Sequence, residues 1–121
     1  MTKEIKRTTK FKKQYKKIRY NPKWKLIFSK GTMADPERSP FEYIVGCLLN
    51  EIQIPKYYYA HPINLSKDQM KSLKSRAGVP EKSIKVLELH FDGHNGNHLL
   101  VYCDLKDVVY LVAIGTHSDL F

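Results

Sequence analysis

Five histidines are the only obvious catalytic side chains in this sequence: His61, His90, His94, His98 and His117. Metal-free cleavage of RNA needs little beyond such residues. A base must take the proton from a ribose 2′-hydroxyl, and an acid must protonate the leaving 5′-oxygen. Cations or hydrogen-bond donors must hold the extra charge on the phosphate. Histidine can do either proton job near neutral pH because its unperturbed pKa is ~6.5. Lysines can supply the charge stabilisation, and an aromatic ring can stack on a displaced base. His90, His94 and His98 are spaced by four, which on a helix would put three metal ligands on one face. The intervening Gly93, Asn95 and Gly96 argue against a helix there. There is no Gly-rich phosphate loop, no Cys-x-x-Cys and no Ser-His-Asp pattern.

The elements that must position these residues are legible from spacing. Ile5 to Thr8 suits a short strand. Phe11, Tyr15 and Ile18 recur at helical spacing, with Lys10, Lys12, Lys13, Lys16 and Lys17 on the other side of the same helix. Asn21-Pro22 ends it, and Pro22 to Pro40 reads as a connection without a clear period. Ser39-Pro40 is a helix start, a capping hydroxyl followed by proline at the first helical position. Phe41, Ile44, Val45, Leu48, Leu49 and Ile52 make its apolar face, and Pro55 stops it. Tyr57 to Ile63 reads as extended chain. Ser66 caps a short polar helix near Lys67 to Arg76, closed by Gly78 and Pro80. Ile84 to His90, His98 to Cys103 and Val108 to Ile114 read as strands, separated by turns at Asp92–Asn97 and Asp104–Asp107. The expected fold is a small α+β domain spanning 1–121, with an N-terminal strand and two helices packed on one face of an antiparallel sheet.

Charge and composition narrow the function classes. The 121 residues carry a formal net charge of +9. Residues 1–30 hold twelve lysines and arginines against one acid, Glu4, and the remainder holds nine against eleven. All the excess charge is therefore N-terminal, which suits a polyanion, most often nucleic acid. Cys47 and Cys103 sit among apolar neighbours and read as buried free thiols of a cytoplasmic protein. No apolar run is long enough to span a bilayer, and the lysine-rich start lacks the apolar core of a secretory signal.

The chain ends in Gly115-Thr116-His117-Ser118-Asp119-Leu120-Phe121, directly after the last strand. This tail, and the opening Lys6-Arg7-Thr8-Thr9-Lys10-Phe11-Lys12-Lys13, resemble the two ends of the YafQ-type toxins in the RelE superfamily. Such toxins are mRNA interferases of type II toxin–antitoxin pairs. The resemblance implies a RelE-like fold, with the segment from Leu65 to Pro80 an insertion relative to compact members. It also implies a metal-independent, cofactor-free endoribonuclease that enters the ribosomal A site and cleaves the mRNA there. The His61-Pro62 pair, His90, His117 and Phe121 match positions where the family keeps its catalytic and substrate-binding residues. The family's aspartate position falls on Asn97 when counted back from Tyr102 and on His94 when counted forward from His90, and Asp92 lies close to both. The implied partners are the ribosome, mRNA and an acidic antitoxin, with operator DNA reached only through that antitoxin and no membrane. Two other readings compete: a basic RNA- or ribosome-binding protein without chemistry, and a metal-dependent nuclease.

The polarised charge makes a direct prediction. Affinity for ribosomes or RNA should fall steeply with salt, with a log–log slope of roughly −0.7 to −0.9 per phosphate contact. Replacing Lys12, Lys13, Lys16 and Lys17 with Ala should flatten that slope. An unchanged slope would make these lysines a solvated face only.

Overall fold

In this computed structural model, residues 3–29 and 37–120 are described. The chain runs β1 (Glu4–Arg7), α1 (Thr9–Ile18), a 3-10 helix (Pro22–Ile27), α2 (Pro40–Leu49), β2 (His61–Pro62) and α3 (Lys67–Ala77), with a 3-10 turn (Lys56–Tyr58) before β2. It closes with β3 (Val86–His90), β4 (Leu99–Asp104), β5 (Val108–Gly115) and the single-turn α4 (His117–Leu120). The sheet order is β1-β5-β4-β3-β2. Strands β2 to β5 pair antiparallel, whereas β1 joins β5 in parallel. The sheet is thus mixed, not wholly antiparallel as the sequence suggested. β1 and β5 stand at opposite ends of the chain, so no hairpin constrains their direction. β4 and β5 are covered on both faces, which is why they read as near-continuous apolar runs.

The two faces carry separate cores. Phe11 and Ile18 of α1, Trp24 and Ile27 of the 3-10 helix, and Ile44 and Leu48 of α2 pack against Leu89, Leu100, Tyr102, Val109 and Leu111. The connection Pro22–Pro40 therefore contains structure that its sequence did not announce, because an exposed 3-10 turn needs only two buried anchors. The opposite face packs Leu73 of α3 against Val86, Val101, Cys103, Tyr110 and Val112. α1 and α2 cover one side, as expected of the two helices, and α3, in the 65–80 segment, covers part of the other. Tyr110 donates its hydroxyl hydrogen to the Arg76 carbonyl at 3.2 Å, tying the end of α3 down. Ser66 and Gln69 form a reciprocal capping box at its start, and Gly78, at φ 66°, ends it.

A β-bulge and a capping threonine link the sheet to α1. Val101 pairs with Ala113 but Tyr102 pairs with Leu111, so Val112 is the extra residue. Its carbonyl accepts the Thr8 hydroxyl at 2.8 Å, while Thr8 Oγ1 caps α1 by accepting from Phe11 N. Beyond the bulge, Gln14 of α1 accepts a hydrogen bond from Ile114 N at 3.0 Å. Helix α1 thereby takes over the edge of β5 where β1 stops. Both cysteines are buried and unpaired, and burial pushes the Cys103 thiol up to about 11. No helix among the described residues is long and apolar enough to cross a membrane.

Leu73 is the buried anchor of α3, at 2% exposure. Leu73→Ala should therefore lower unfolding stability by about 2–5 kcal/mol in a urea titration. A change within about 0.5 kcal/mol, the size of an ordinary surface effect, would make 65–80 an appendage rather than a wall of the second core.

Candidate active site

The part of the second face that α3 leaves uncovered holds three titratable groups. Period-two alternation along β3 puts Glu88 and His90 on one side of the sheet. Pairing of β2 with β3 sets His61 directly opposite Glu88. Glu88 is only 4% exposed and lies between the two imidazoles. His61 Nε2 is 3.4 Å and His90 Nε2 3.6 Å from the same oxygen, Glu88 Oε1. The other oxygen, Oε2, is buried without a hydrogen-bond partner among the described residues.

The backbone fixes how the rings face. His61 Nδ1 lies 2.7 Å from the Tyr59 carbonyl and His90 Nδ1 3.0 Å from the Gly96 carbonyl. A carbonyl can only accept, so each Nδ1 carries a hydrogen and donates it. Each Nε2 is left with its lone pair directed at the carboxylate whenever its ring is neutral. Tyr59 reaches this geometry in the left-handed region, at φ 50°, a conformation that costs a non-glycine residue of order 1–3 kcal/mol. Its exposed ring stands 4.6 Å from His61, 5.7 Å from His90 and 4.1 Å from His94, centroid to centroid.

The loop 91–98 is held by a separate pair. Asp92 accepts from His98 Nδ1 at 2.6 Å and from the backbone N–H groups of Asn97 and His98. His98 Nε2 lies 3.0 Å from the Lys23 carbonyl, and the ring meets Trp24 edge to face at 4.5 Å. Gly96 passes so close to Asp92 that any Cβ there would overlap the carboxylate. His98 and Asp92 thus clamp the loop that supplies the Gly96 carbonyl. His90, His94 and His98 do not form a common ligand face, because the chain turns between them.

Asn97 and His117 meet at the tail. The Asn97 side-chain oxygen accepts from His117 N at 2.8 Å, and Asp119 accepts from Thr116 N at 3.0 Å. Those contacts cap α4 at the same sheet end as His90, since Gly115 pairs with Leu99 and Leu99 with His90. Of the residues expected from the sequence, His61 and His90 are brought together. His94 joins them through Tyr59, and Asn97 instead holds the backbone of His117. Phe121 lies outside the described residues. The lysines divide by helical spacing: Lys10, Lys13 and Lys17 share a stripe beside β5, and Lys12 and Lys16 occupy another. Lys10 borders a cavity of about 210 Å³ with Ser66, Val101, Ala113 and Leu120. Val101, which lines this cavity, pairs with Glu88. Lys17 borders a larger one of about 810 Å³ with Trp24, Asn97, His98 and Asp119. Glu88 and Tyr59 were not singled out by sequence. The available signal was a lone acid alternating with His90 inside an apolar strand.

No protein-family model matches the chain, and no curated protein matches it by sequence. Solved structures match along its whole length. YafQ in the Escherichia coli DinJ–YafQ toxin–antitoxin complex is 18% identical with a TM-score of 0.62, over 100% of this chain and 99% of that one. YafQ from Escherichia coli strain BL21(DE3) is 17% identical with a TM-score of 0.60, over 98% of each chain. A copper-bound mutant toxin from Helicobacter pylori is 18% identical with a TM-score of 0.61, over 100% of each chain. Identity at this level establishes a shared fold.

The clamp makes a pH prediction. Burial works against ionisation of Asp92, but hydrogen bonds from the His98 ring and backbone outweigh it and hold the carboxyl below its usual value. A carboxyl depressed on folding adds stability that is present above its unfolded pKa of ~3.9 and lost as pH falls through the folded value. Asp92→Asn should therefore lower stability at pH 7 by about 1 kcal/mol, the group being partly exposed. The gap to wild type should narrow in urea titrations below pH 4. A gap that stays constant with pH would mean the charge on Asp92 does not anchor the loop.

Proposed function

We propose that this chain, which has the fold of the YafQ toxins, is the toxin of a type II toxin–antitoxin pair and cleaves mRNA in the ribosomal A site. The observation that carries this reading is the convergence of His61 Nε2 and His90 Nε2 on one buried carboxylate. Two Nε2 atoms with their Nδ1–H groups tied to carbonyls are a proton acceptor and a proton donor in waiting. One neutral imidazole takes the 2′-hydroxyl proton as the 2′-oxygen attacks phosphorus. One imidazolium gives its proton to the departing 5′-oxygen. The products are a 2′,3′-cyclic phosphate and a free 5′-hydroxyl, so protons and bonds balance without a metal. Lys10 stands where it can offset the charge on the phosphate. Glu88 stabilises whichever ring is protonated. His117 and Phe121 would complete the site at the tail, where Asn97 holds the His117 backbone.

The expected partner is an acidic antitoxin covering the cationic surface, as the E. coli relative is found with DinJ. Such a pair acts in the cytoplasm, and the toxin would reach operator DNA only through the antitoxin. A ribosome-binding protein without chemistry draws support from Asn97, which cannot shuttle a proton.

Purified protein added to translating ribosomes, with mRNA 5′ ends mapped, tests the proposal. New ends inside A-site codons are expected from wild type. His61→Ala, His90→Ala and His117→Ala should each lower the rate by about 10²–10⁴-fold with the fold retained. Lys10→Ala should slow cleavage more than Lys12→Ala, which sits on the other stripe. Ribosome binding without new ends would favour the non-catalytic reading.

A further inference from the structure

Proton transfer does not by itself account for three lone-pair carriers being aimed at one another. One ring nitrogen from each of His61 and His90 and a Glu88 carboxylate oxygen all lie within 4.8 Å of one another, and both Nε2 atoms approach Glu88 Oε1. We propose that these three atoms form a binding site for a late first-row divalent ion, Zn²⁺ or Cu²⁺, and that its occupancy switches the acid–base chemistry off. The inhibitory half rests on the cleavage reading above. The site itself does not.

Ligand orientation is the first support. Metal-binding imidazoles characteristically donate their second ring N–H to a carbonyl or carboxylate, which fixes the tautomer. Both rings do so here, to the carbonyls of Tyr59 and Gly96. Spacing is the second. Tetrahedral bonds of ~2.0–2.1 Å put neighbouring ligand atoms about 3.3 Å apart. The two nitrogen–oxygen separations, 3.4 and 3.6 Å, already lie near that value. Glu88 supplies the third. A carboxylate 4% exposed with an unpartnered Oε2 is unfavourable unless a cation faces it. A metal ion would satisfy both the carboxylate and the imidazole lone pairs at once.

The donor set selects the ion. Two imidazoles with one carboxylate suit zinc and copper, whereas magnesium and calcium prefer oxygen alone. Coordination would consume the Nε2 lone pairs that the proposed base and acid require. Metal occupancy and cleavage therefore exclude each other.

Calorimetric titration of the full chain with Zn²⁺ tests the site without reference to activity. One tight site is expected for wild type, with Mg²⁺ silent. Glu88→Gln and His90→Ala should each weaken Zn²⁺ binding by more than the ~10–100-fold that loss of an outer-shell partner costs. Metal-free melting of each variant confirms folding. Zn²⁺ should raise the melting temperature of wild type and leave that of Glu88→Gln unmoved. In the ribosome assay, Zn²⁺ should slow cleavage at least tenfold, with recovery on selective chelation. Binding that survives both substitutions would overturn the site. Tight binding with undiminished cleavage would overturn the switch. Tight, Glu88-dependent binding by a protein that never cleaves mRNA would leave the metal site standing and remove the nuclease reading instead.

Discussion

A carboxylate buried between two imidazoles is the constraint around which this molecule is arranged. Removing an ionised carboxyl from water costs several kcal/mol unless charge or hydrogen bonds replace the solvent. At Glu88 the replacement requires a proton on His61 or His90, or a cation between them, and neither ring could serve if free to rotate. Each is therefore tied through Nδ1 to a backbone carbonyl, and each carbonyl needs its own support. The Tyr59 carbonyl is aimed by a left-handed residue just before β2. The Gly96 carbonyl sits on a loop stapled by Asp92 and His98 to the 3-10 helix, through the Lys23 carbonyl and Trp24. Strand pairing, backbone strain and a loop clamp thus converge on one oxygen atom.

The same arrangement separates support from chemistry. His98 looks as reactive as its neighbours in sequence, yet both of its nitrogens are engaged in holding the loop. His61 and His90 spend one nitrogen on the backbone and keep the other for the site. The bulge at Val112 matters for a related reason. It lets Ile114 join the first core while Ala113 stays on the second face, next to the cavity that Lys10 borders. The cationic helix is then placed by Thr8 and Gln14 against the strand that leads to His117.

Much of this could be read from the chain. Helix starts at Ser39 and Ser66 followed from capping chemistry, and the meander from turn residues and apolar runs. The resemblance points to His61 and His90 along with His117 and Phe121, without setting the first two apart as a pair. The remainder depended on tertiary pairing. The parallel β1–β5 contact joins residues about a hundred positions apart, which no local pattern encodes. The placement of α3 on the second face rests on buried Leu73 with partly buried Met70 and Ala77, too sparse a stripe for periodicity to reveal. Glu88 was hidden because an acid in an apolar strand looks like an edge residue until His61 is laid across from it. Asn97 and Asp92 could not be ranked by counting, since their contacts are set by how the 92–97 loop folds back on itself.

The central claim is that the backbone holds both rings so that their Nε2 atoms face Glu88. Long-range proton–nitrogen correlation spectra of histidine-labelled protein, at a pH where both rings are neutral, read this directly. The account predicts a protonated Nδ1 and a bare Nε2 on His61 and on His90, with both Nε2 signals shifting in Glu88→Gln. Nε2–H tautomers on these rings, unaffected by that substitution, would contradict it.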